Sequence, residues 1–277
     1  MEYELMPDKL LIDGNSKPNV SFVPYAAEAP IVKGKSRLTQ HMISLITKGE
    51  KLIYTNGRPL RITPKTILLL SSGNYLFTEK LDGPERVKSI LIFFDREYLQ
   101  NIIKASAHPS KNNSEKIPYS LFDKDEYLSN FISSVETLLS SNIFSEPMQI
   151  AKLNELLVYL FNRYPETLHN FQDVSEALTV EERIQKATQE NIFNNLSVSE
   201  LAFLCHVSLP TFKRKFQQLY DQPPGKWMQL QRITKAAALL HKGAKPSEVY
   251  LQVGYENHSS FSQAFKEHFD VLPKDYK

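Results

Sequence analysis

Residues 208–227 read SLPTFKRKFQQLYDQPPGKW, and residues 257–276 read NHSSFSQAFKEHFDVLPKDY. The two segments match at seven positions that are each 49 residues apart: Ser208/Asn257, Phe212/Phe261, Phe216/Phe265, Tyr220/Phe269, Asp221/Asp270, Pro224/Pro273 and Trp227/Tyr276. Aromatic residues at i, i+4 and i+8 share one face of a helix, and the following Asp and Pro predict that both helices end in the same way. Because each segment follows a short helical pattern and a turn, the repeat predicts two tandem helix-turn-helix units. A plain helical bundle with an aromatic core is the alternative, but it does not account for seven matched positions.

Composition sets the class of protein around this repeat. The chain has 277 residues, with 42% apolar and 23% charged residues, which is typical of a soluble globular protein and long enough for two domains. The net charge is only +2, although residues 181–277 carry a small excess of basic side chains, which fits contact with nucleic acid. Cys205 is the single cysteine, which excludes an intramolecular disulfide and a cysteine-based zinc site. The N-terminus lacks a signal-peptide pattern and a membrane-length apolar run, so a reducing, cytoplasmic location without a membrane is expected.

The first third of the chain has the pattern of an antiparallel β domain. Residues 1–20 have few periodic signals and are expected to be irregular, as an arm. Short apolar segments separated by turns follow, including a hairpin signal at Asn56-Gly57. The predicted strands are Met42–Ile46, Lys51–Tyr54, Leu60–Ile62, Thr66–Leu70, Tyr75–Thr78 and Val87–Phe94. This spacing predicts a small antiparallel barrel or sandwich.

Two amphipathic helices are expected after a polar loop at about residues 105–118. They span about Lys124–Ser140 and Glu146–Arg163, and the second carries an apolar stripe of Ile150, Leu153, Leu156, Leu157, Leu160 and Phe161. The stripe either covers the β domain or pairs in part with a second copy of the chain. A polar linker from His169 to Val180 follows, with Ser175 or Thr179 as the N-cap of the next helix, at about Val180–Asn194.

The two helix-turn-helix units supply the candidate DNA-binding residues. In the first unit, Ser199–Leu204 is a short helix, Ser208 caps the next one, and the face opposite Phe212 and Phe216 carries hydrogen-bond donors for base edges and phosphates. In the second unit a helix at Ser247–Val253 precedes a helix that is capped by Asn257. The candidates are Thr211, Lys213, Arg214 and Gln217 in the first unit and His258, Ser259, Ser262, Gln263 and Lys266 in the second.

One long helix is predicted between the units, from Gly225 to about His241. Its inward residues would be Trp227, Leu230, Ile233, Ala236, Ala237 and Leu240. A helix of this length spans roughly 26 Å, which suits two recognition helices placed about one turn of B-DNA, ~34 Å, apart.

Residues from about 180 to 277 resemble the DNA-binding domain of AraC/XylS transcription regulators. The resemblance is specific because the spacings hold across both units. The matching residues are Leu196-Ser197-Val198-Ser199-Glu200-Leu201-Ala202, Ser208, Phe212, Arg214, Phe216, Pro224, Arg232, Ile233, Ala236, Leu239, Leu240, Gly254, Tyr255, Ser259, Phe261, Phe265, Lys266, Phe269, Pro273 and Tyr276.

Two positions depart from the pattern of that family. Where the first helix of the second unit usually has an apolar residue and then a small alanine, this chain has Pro246 and Tyr250. That helix is expected to pack differently, so the first unit, with Lys213 and Arg214, is predicted to be the stronger reader of bases.

The N-terminal region more weakly resembles the cupin-like sensor domains of such regulators, best at residues 60–74. It also resembles activators of secretion genes that protein partners, rather than sugars, switch. The fold is thus predicted to be α+β: a cupin-like antiparallel β-barrel with helices (residues 1–170) for sensing and dimerisation, then an all-α AraC-type domain with two helix-turn-helix units (171–277).

An enzyme and an architectural DNA-binding protein are the two alternative classes of function. A metal-dependent cupin enzyme would need clustered His and carboxylate ligands, but His41 is the only histidine of the β region, and phosphate loops and nucleophile motifs are absent from the sequence. The enzymatic alternative is therefore a small, metal-independent cupin-type enzyme. An architectural DNA-binding protein would not need the separate β domain.

The sequence therefore predicts a transcription regulator, in particular an activator, with no catalytic residues, metal or cofactor. Its expected partners are promoter half-sites in double-stranded DNA, a second copy of the chain, RNA polymerase, and a small-molecule effector or regulatory protein at the N-terminal domain.

Overall fold

The computed structural model describes residues 3–11, 18–27, 29–80, 87–105, 117–141, 143–171 and 178–276. Most of the polar loop expected at 105–118, and the candidate cap Ser175, lie outside these ranges. The chain separates into two compact units, Met1–Ile53 with Leu60–Ala177, and Tyr54–Pro59 with Leu178–Lys277. In the described ranges no helix combines the length and apolarity that a membrane crossing requires.

In the described part of the first unit, ten strands form two five-stranded sheets. The strands are β1 (Glu4–Met6), β2 (Val20–Ala26), β3 (Ile31–Leu38), β4 (His41–Lys48), β5 (Glu50–Tyr54), β6 (Leu60–Ile62), β7 (Thr66–Leu70), β8 (Gly73–Lys80), β9 (Lys88–Phe94) and β10 (Tyr119–Asp123). One sheet has the order β1-β3-β8-β5-β6 and the other β10-β7-β4-β9-β2. The pairs β3/β8, β5/β6, β10/β7, β4/β7, β4/β9 and β2/β9 are antiparallel, and β1/β3 is parallel. The predicted α+β class is confirmed, and the expected barrel has the form of a cupin-like sandwich of two sheets.

The expectation of an irregular N-terminal arm was wrong. Residues 4–6 form β1, which pairs with residues 36–38 of β3, and Met6, Leu10 and Leu11 pack against the core between the sheets. Three residues are too short a strand to show a periodic signal, so only the pairing with β3 defines it.

The sheet β10-β7-β4-β9-β2 is buried on both faces, which explains its continuous apolar segments. Successive side chains of a strand point to opposite faces. Ile43 and Leu45 of β4 therefore join one apolar cluster, which the helices complete, whereas Met42 and Ile46 join the cluster between the two sheets.

The described residues of this unit form the helices α1 (Arg96–Ala105), α2 (Glu126–Leu139), α3 (Glu146–Arg163) and α4 (Pro165–Asn170). α3 has the predicted bounds, α2 is slightly shorter than predicted, and α1 and α4 were missed. The expected linker starts too early, because His169 lies in α4. The apolar stripe of α3 packs into the helix-covered cluster, with Leu153, Leu156 and Leu157 fully buried. Of the two uses proposed for this stripe, covering the β domain is confirmed.

The helical part of the second unit contains α5 (Val180–Asn191), α6 (Val198–Leu204), α7 (Leu209–Tyr220), α8 (Pro224–His241), α9 (Pro246–Gln252) and α10 (His258–Phe269). Capping boxes start α5 and α6: the hydroxyls of Thr179 and Ser197 accept the backbone N–H of Glu182 and Glu200, whose carboxylates accept the N–H of the capping residue in return. The predicted cap at Thr179 is thus confirmed.

Candidate nucleic-acid interface

The first helix-turn-helix unit consists of α6, a short turn and α7. Leu201 and Leu204 of α6 are buried, and His206 takes a left-handed conformation in the turn, with a φ of 58°. The predicted cap is confirmed, because the Ser208 hydroxyl accepts a hydrogen bond of 3.2 Å from the backbone N–H of Thr211. Pro210 lies in the first turn of α7, where a missing N–H has no cost.

The second unit repeats this arrangement with α9 and α10. Asn257 caps α10, and its Oδ1 atom accepts a hydrogen bond of 2.8 Å from the N–H of Ser260. The turn is one residue longer: four residues separate Gln252 from the cap, against three between Leu204 and Ser208. The 49-residue repeat therefore relates α7 to α10 but does not extend through the turns.

Both recognition helices end in the same way, as the sequence predicts. Asp221 follows α7 and Asp270 follows α10, each in the left-handed conformation, with φ values of 55° and 59°. Their backbone N–H groups donate to the carbonyl oxygens of Gln217 and Lys266, which would otherwise have no partner in the helix. Asp tolerates this conformation better than most residues other than Gly and Asn.

The aromatic stripe of each recognition helix forms a small core. Phe212 and Phe216 in α7, and Phe261 and Phe265 in α10, are fully buried. With these faces fixed inward, the opposite faces of α7 and α10 remain at the surface.

The outer face of α7 carries the strongest candidate contacts. Lys213, Arg214 and Gln217 are exposed, whereas Thr211 is half-buried and its hydroxyl lies 2.9 Å from that of Ser208. Within the described part of the chain, no carboxylate forms an ion pair with Lys213 or Arg214. These two cations are therefore available to an external anion.

Lys215, on the same helix, is instead used within the unit. Its ammonium group pairs with the carboxylate of Glu181 at the start of α5. The hydrogen bond from Lys215 holds the pKa of Glu181 below its usual value. Of the three consecutive cations on α7, this one stabilises the fold.

The outer face of α10 has fewer basic residues than that of α7, and more of its polar side chains already contact other residues of the protein. Its candidates are the exposed His258, Ser259, Gln263 and Lys266 and the half-buried Ser262. The His258 ring packs edge-on against Tyr250, with ring centroids 5.8 Å apart, and its Nδ1 atom lies 3.3 Å from the Ser262 hydroxyl. Gln263 donates to Glu267 at 2.9 Å. Lys266 is the one lysine or arginine among these candidates.

Pro246 and Tyr250, the two departures from the family pattern, both lie in α9. Pro246 occupies the first turn of α9. Tyr250 is partly buried against the apolar cluster of this unit, in addition to its contact with His258. The ring of Tyr250 in α9 thus restrains His258 in the recognition helix α10.

Two further residues belong to the candidate interface, although the sequence reasoning did not select them. The 49-residue offset places the exposed Ser260 at the position of Thr211, and the offset alone could have identified it. Lys226, at the start of α8, lines a surface groove together with Lys213 and Gln217. No sequence signal placed Lys226 beside α7, because that proximity depends on the turn between α7 and α8.

α8 joins the two helix-turn-helix units over 18 residues, or about 27 Å. Two inward assignments need correction: Trp227 and Leu230 are half-buried, whereas Met228 is buried together with Ile233 and Ala236. Trp227 instead borders α7, where its ring lies 4.5 Å from Tyr220 and 5.7 Å from Phe216, centroid to centroid. The buried stripe of α8 therefore runs through Met228, Ile233 and Ala236 and leaves Trp227 at its edge.

Arg232 of α8 also has a structural role. Its Nε atom donates to the carbonyl oxygen of Ile192, just after α5, at 2.6 Å. Burial lowers the pKa of this guanidinium.

The β region offers no alternative metal centre in the ranges that the structure describes, where no three potential ligands cluster. His41 is buried, accepts a hydrogen bond from the Ser72 N–H at 3.1 Å, and packs edge-on against Phe94 and Phe171. It is a packed core histidine.

Comparison with known proteins gives a family match in each half of the chain. Residues 41–171 match a family model described as the ExsA N-terminal regulatory domain, and residues 201–277 match one described as a helix-turn-helix domain. The two matches define the class: a transcription regulator with a regulatory domain and a helix-turn-helix domain.

These matches and the relatives below support the resemblance of this chain to AraC/XylS transcription regulators. It is 21% identical over 240 residues to the regulator ExsA of Pseudomonas aeruginosa, an alignment that covers 83% of this chain and 84% of ExsA. It is 31% identical over 85 residues to an uncharacterised helix-turn-helix regulator of Haemophilus influenzae, but this covers only 30% of this chain and 28% of that protein. A crystal structure of ToxT from Vibrio cholerae, at 16% identity, aligns with 94% of this chain and 97% of its own with a TM-score of 0.45.

Proposed function

We propose that this protein binds specific promoter sequences in double-stranded DNA and activates transcription, under the control of its N-terminal domain. The observation that carries the proposal is the pair of recognition helices, α7 and α10, which have the same caps, the same buried aromatic stripe and polar outer faces. Two such helices, joined by α8, suit two successive segments of the major groove.

The roles of the side chains follow from their chemistry. Lys213 and Arg214 are proposed to contact bases and phosphates through α7, because they are exposed, and arginine can hydrogen-bond a guanine edge through two N–H groups. Gln217 and Thr211 would add polar contacts. In the second unit, Lys266 would contact a phosphate, and His258, Ser259, Ser262 and Gln263 would contribute less, because several of them already have intramolecular partners.

The N-terminal domain, proposed as residues 1–170, would receive the signal, and residues 171–277 would bind DNA. Binding as a homodimer would place two DNA-binding domains on adjacent half-sites, and a change in their arrangement would couple the signal to DNA affinity. The proposed setting is the cytoplasm, with RNA polymerase as the partner in activation and no catalytic step.

Selection of random DNA sequences by the full chain at fixed salt concentration tests this proposal. We expect an enriched site with two elements about 10 base pairs apart, which is one turn of B-DNA. One enriched element would restrict base reading to the first helix-turn-helix unit. Binding that depends on salt but enriches no sequence would contradict sequence-specific regulation.

A further inference from the structure

The N-terminal compact unit, which holds the two β-sheets, contains a cavity of about 660 Å³ between these sheets. Its walls come from both sheets, and the N-terminal residues Tyr3, Leu5 and Met6 complete one side. This volume lies within the range of sites for small molecules, about 300–1,000 Å³.

Most of the wall is apolar, formed in part by Leu38, Met42, Phe77, Leu91 and Phe93. An occupant must therefore present a mostly apolar body, because burial of polar groups against these side chains would leave their hydrogen bonds unmade.

Two of the lining side chains, Lys51 and Glu79, form a buried ion pair with each other. The Lys51 Nζ atom lies 2.8 Å from a carboxylate oxygen of Glu79, and the side chains are only 5% and 4% exposed. The hydroxyl of Tyr25 donates to the other Glu79 oxygen at 2.9 Å, and Lys51 also contacts Ser89 Oγ at 3.3 Å. The ammonium lies 4.2 Å from the centre of the Tyr25 ring, at a cation–π distance.

The remaining charged residues of the wall are less deeply placed. Lys9 and Glu4 form a second ion pair whose side chains are 55% and 43% exposed. Lys35 is half-buried on β3. Lys51 and Glu79 are thus the deeply buried charges of the cavity.

The buried Lys51–Glu79 pair in the wall restricts the charge of an occupant that contacts it. A charged head group would have to separate Lys51 from Glu79, and one buried charge would then lack a counter-ion, which is strongly unfavourable. A neutral head group can hydrogen-bond to Lys51, Glu79 or the Ser44 hydroxyl and leave the pair intact.

We propose that this cavity binds the effector of the regulatory domain, and that the effector is an uncharged, mainly apolar molecule with one hydrogen-bonding head group, such as an alcohol or a ketone. Only the role of the ligand as an effector rests on the proposed function, and its binding to the cavity does not. Binding to the cavity is measured without DNA, so failure of either proposal is seen separately.

Three probes with ten carbon atoms each test whether the cavity prefers an uncharged head group: 1-decanol, decanoate and decylammonium. Each probe is titrated calorimetrically into the full chain at concentrations where the probe is monomeric. We expect 1-decanol to bind at least about tenfold more tightly than either charged probe, equivalent to about 1.4 kcal/mol. No binding of 1-decanol, equal binding of all three, or tighter binding of a charged probe would each overturn the proposal.

Glu79→Gln supplies a stronger test, because it keeps the shape of the side chain but removes the counter-charge of Lys51. The preference should reverse, with decanoate at least about tenfold tighter than 1-decanol. Glu50→Gln is the matched control: Glu50 lies on the same sheet and pairs with the exposed Arg61, and it does not line the cavity. An unchanged preference in a folded Glu79→Gln protein would contradict the assignment.

Ser44→Leu keeps the ion pair and fills part of the cavity, so it tests the site even if Glu79→Gln does not fold. Ser44 is buried on β4 and lines the cavity. We expect the affinity for 1-decanol to fall at least about tenfold. Unchanged affinity would place the binding elsewhere and overturn the proposal.

Discussion

Arg214 is the residue whose proposed role is most open to measurement. It lies on the exposed face of α7, and the cap at Ser208 and the buried Phe212 and Phe216 fix that face toward solvent. Local signals set each of these features, which is why the sequence could place Arg214 at the surface. Whether it reads a base or contacts a phosphate depends on the DNA.

Arg214→Ala is expected to weaken specific binding by about 1–3 kcal/mol, because a two-point contact to a guanine edge would be lost. The measurement compares the affinity for a selected site with that for random DNA over a range of salt concentrations. Lys65→Ala is the charge-matched control, since Lys65 is an exposed cation in the turn before β7. Equal losses on both DNAs, with a shallower salt dependence, would make Arg214 a phosphate contact instead.

Cys205 gives a pH-dependent prediction. The thiol is fully buried at the end of α6, and burial raises its pKa from 9.0 to about 12. The unfolded chain therefore loses this proton first as pH rises. The thiol's contribution to stability is complete below about pH 9 and falls between pH 9 and 12 by about 1.4 kcal/mol per pH unit.

Denaturant unfolding of the wild type and of Cys205→Ala, at pH 8 and pH 10.5, measures this effect. Tyrosines and lysines titrate in both proteins, but only the wild type has the buried thiol. The wild type should therefore lose more stability than the variant over that interval. Identical pH slopes would show that the thiol is not held protonated in the folded state.

At the scale of elements, the turn before α10 requires a glycine for two separate reasons. Gly254 has a φ of 83°, and a Cβ atom there would lie 2.9 Å from the carbonyl oxygen of Phe193. The second reason is tertiary, because Phe193 follows α5, about 60 residues earlier in the chain. The sequence indicated a turn at this position, but it could not show the close approach of that backbone.

Gly254→Ala should destabilise the protein by about 1–3 kcal/mol, since strain and a clash with backbone act together. Gly243→Ala is a matched control: its φ is 87°, but a Cβ atom would meet nothing within 4 Å. It should cost about 1 kcal/mol, from the backbone conformation alone. Thermal unfolding of both variants gives the comparison, and equal losses would remove the clash with Phe193 from the explanation.

At the scale of the whole molecule, dimerisation is the next property to test. The apolar stripe of α3 is used within the first unit, so a homodimer through α2 and α3 would have to use the opposite face. On α3 that face includes Val158, which is 47% exposed, and Asn154.

Val158→Asp is expected to shift the full chain from dimer to monomer, because a symmetric interface would bury the new carboxylate twice. Sedimentation velocity measures the shift, and the melting temperature at low concentration should stay nearly constant, because Val158 is exposed in the single chain. Asn154→Asp introduces the same charge on the same helix and should have a smaller effect. A dimer that survives Val158→Asp would place the interface elsewhere.

The sequence by itself determined the elements whose signals lie within about a dozen residues: the caps at Thr179, Ser208 and Asn257, the aromatic stripes, and the ends of α7 and α10. Such features depend on backbone groups and side chains one or two helical turns apart, so the local sequence is sufficient. The strands of the sandwich were also visible as short apolar segments, although their partners were not.

The tertiary structure alone decided which strands meet and what the space between them contains. β1 pairs with β3 across about 32 residues, and Lys51 meets Glu79 across 28. The side-chain direction in a strand alternates, so an error of one residue in register would exchange the cavity wall with the outer face. The cavity and its closed ion pair therefore depend on long-range pairing, which no local pattern in the chain specifies.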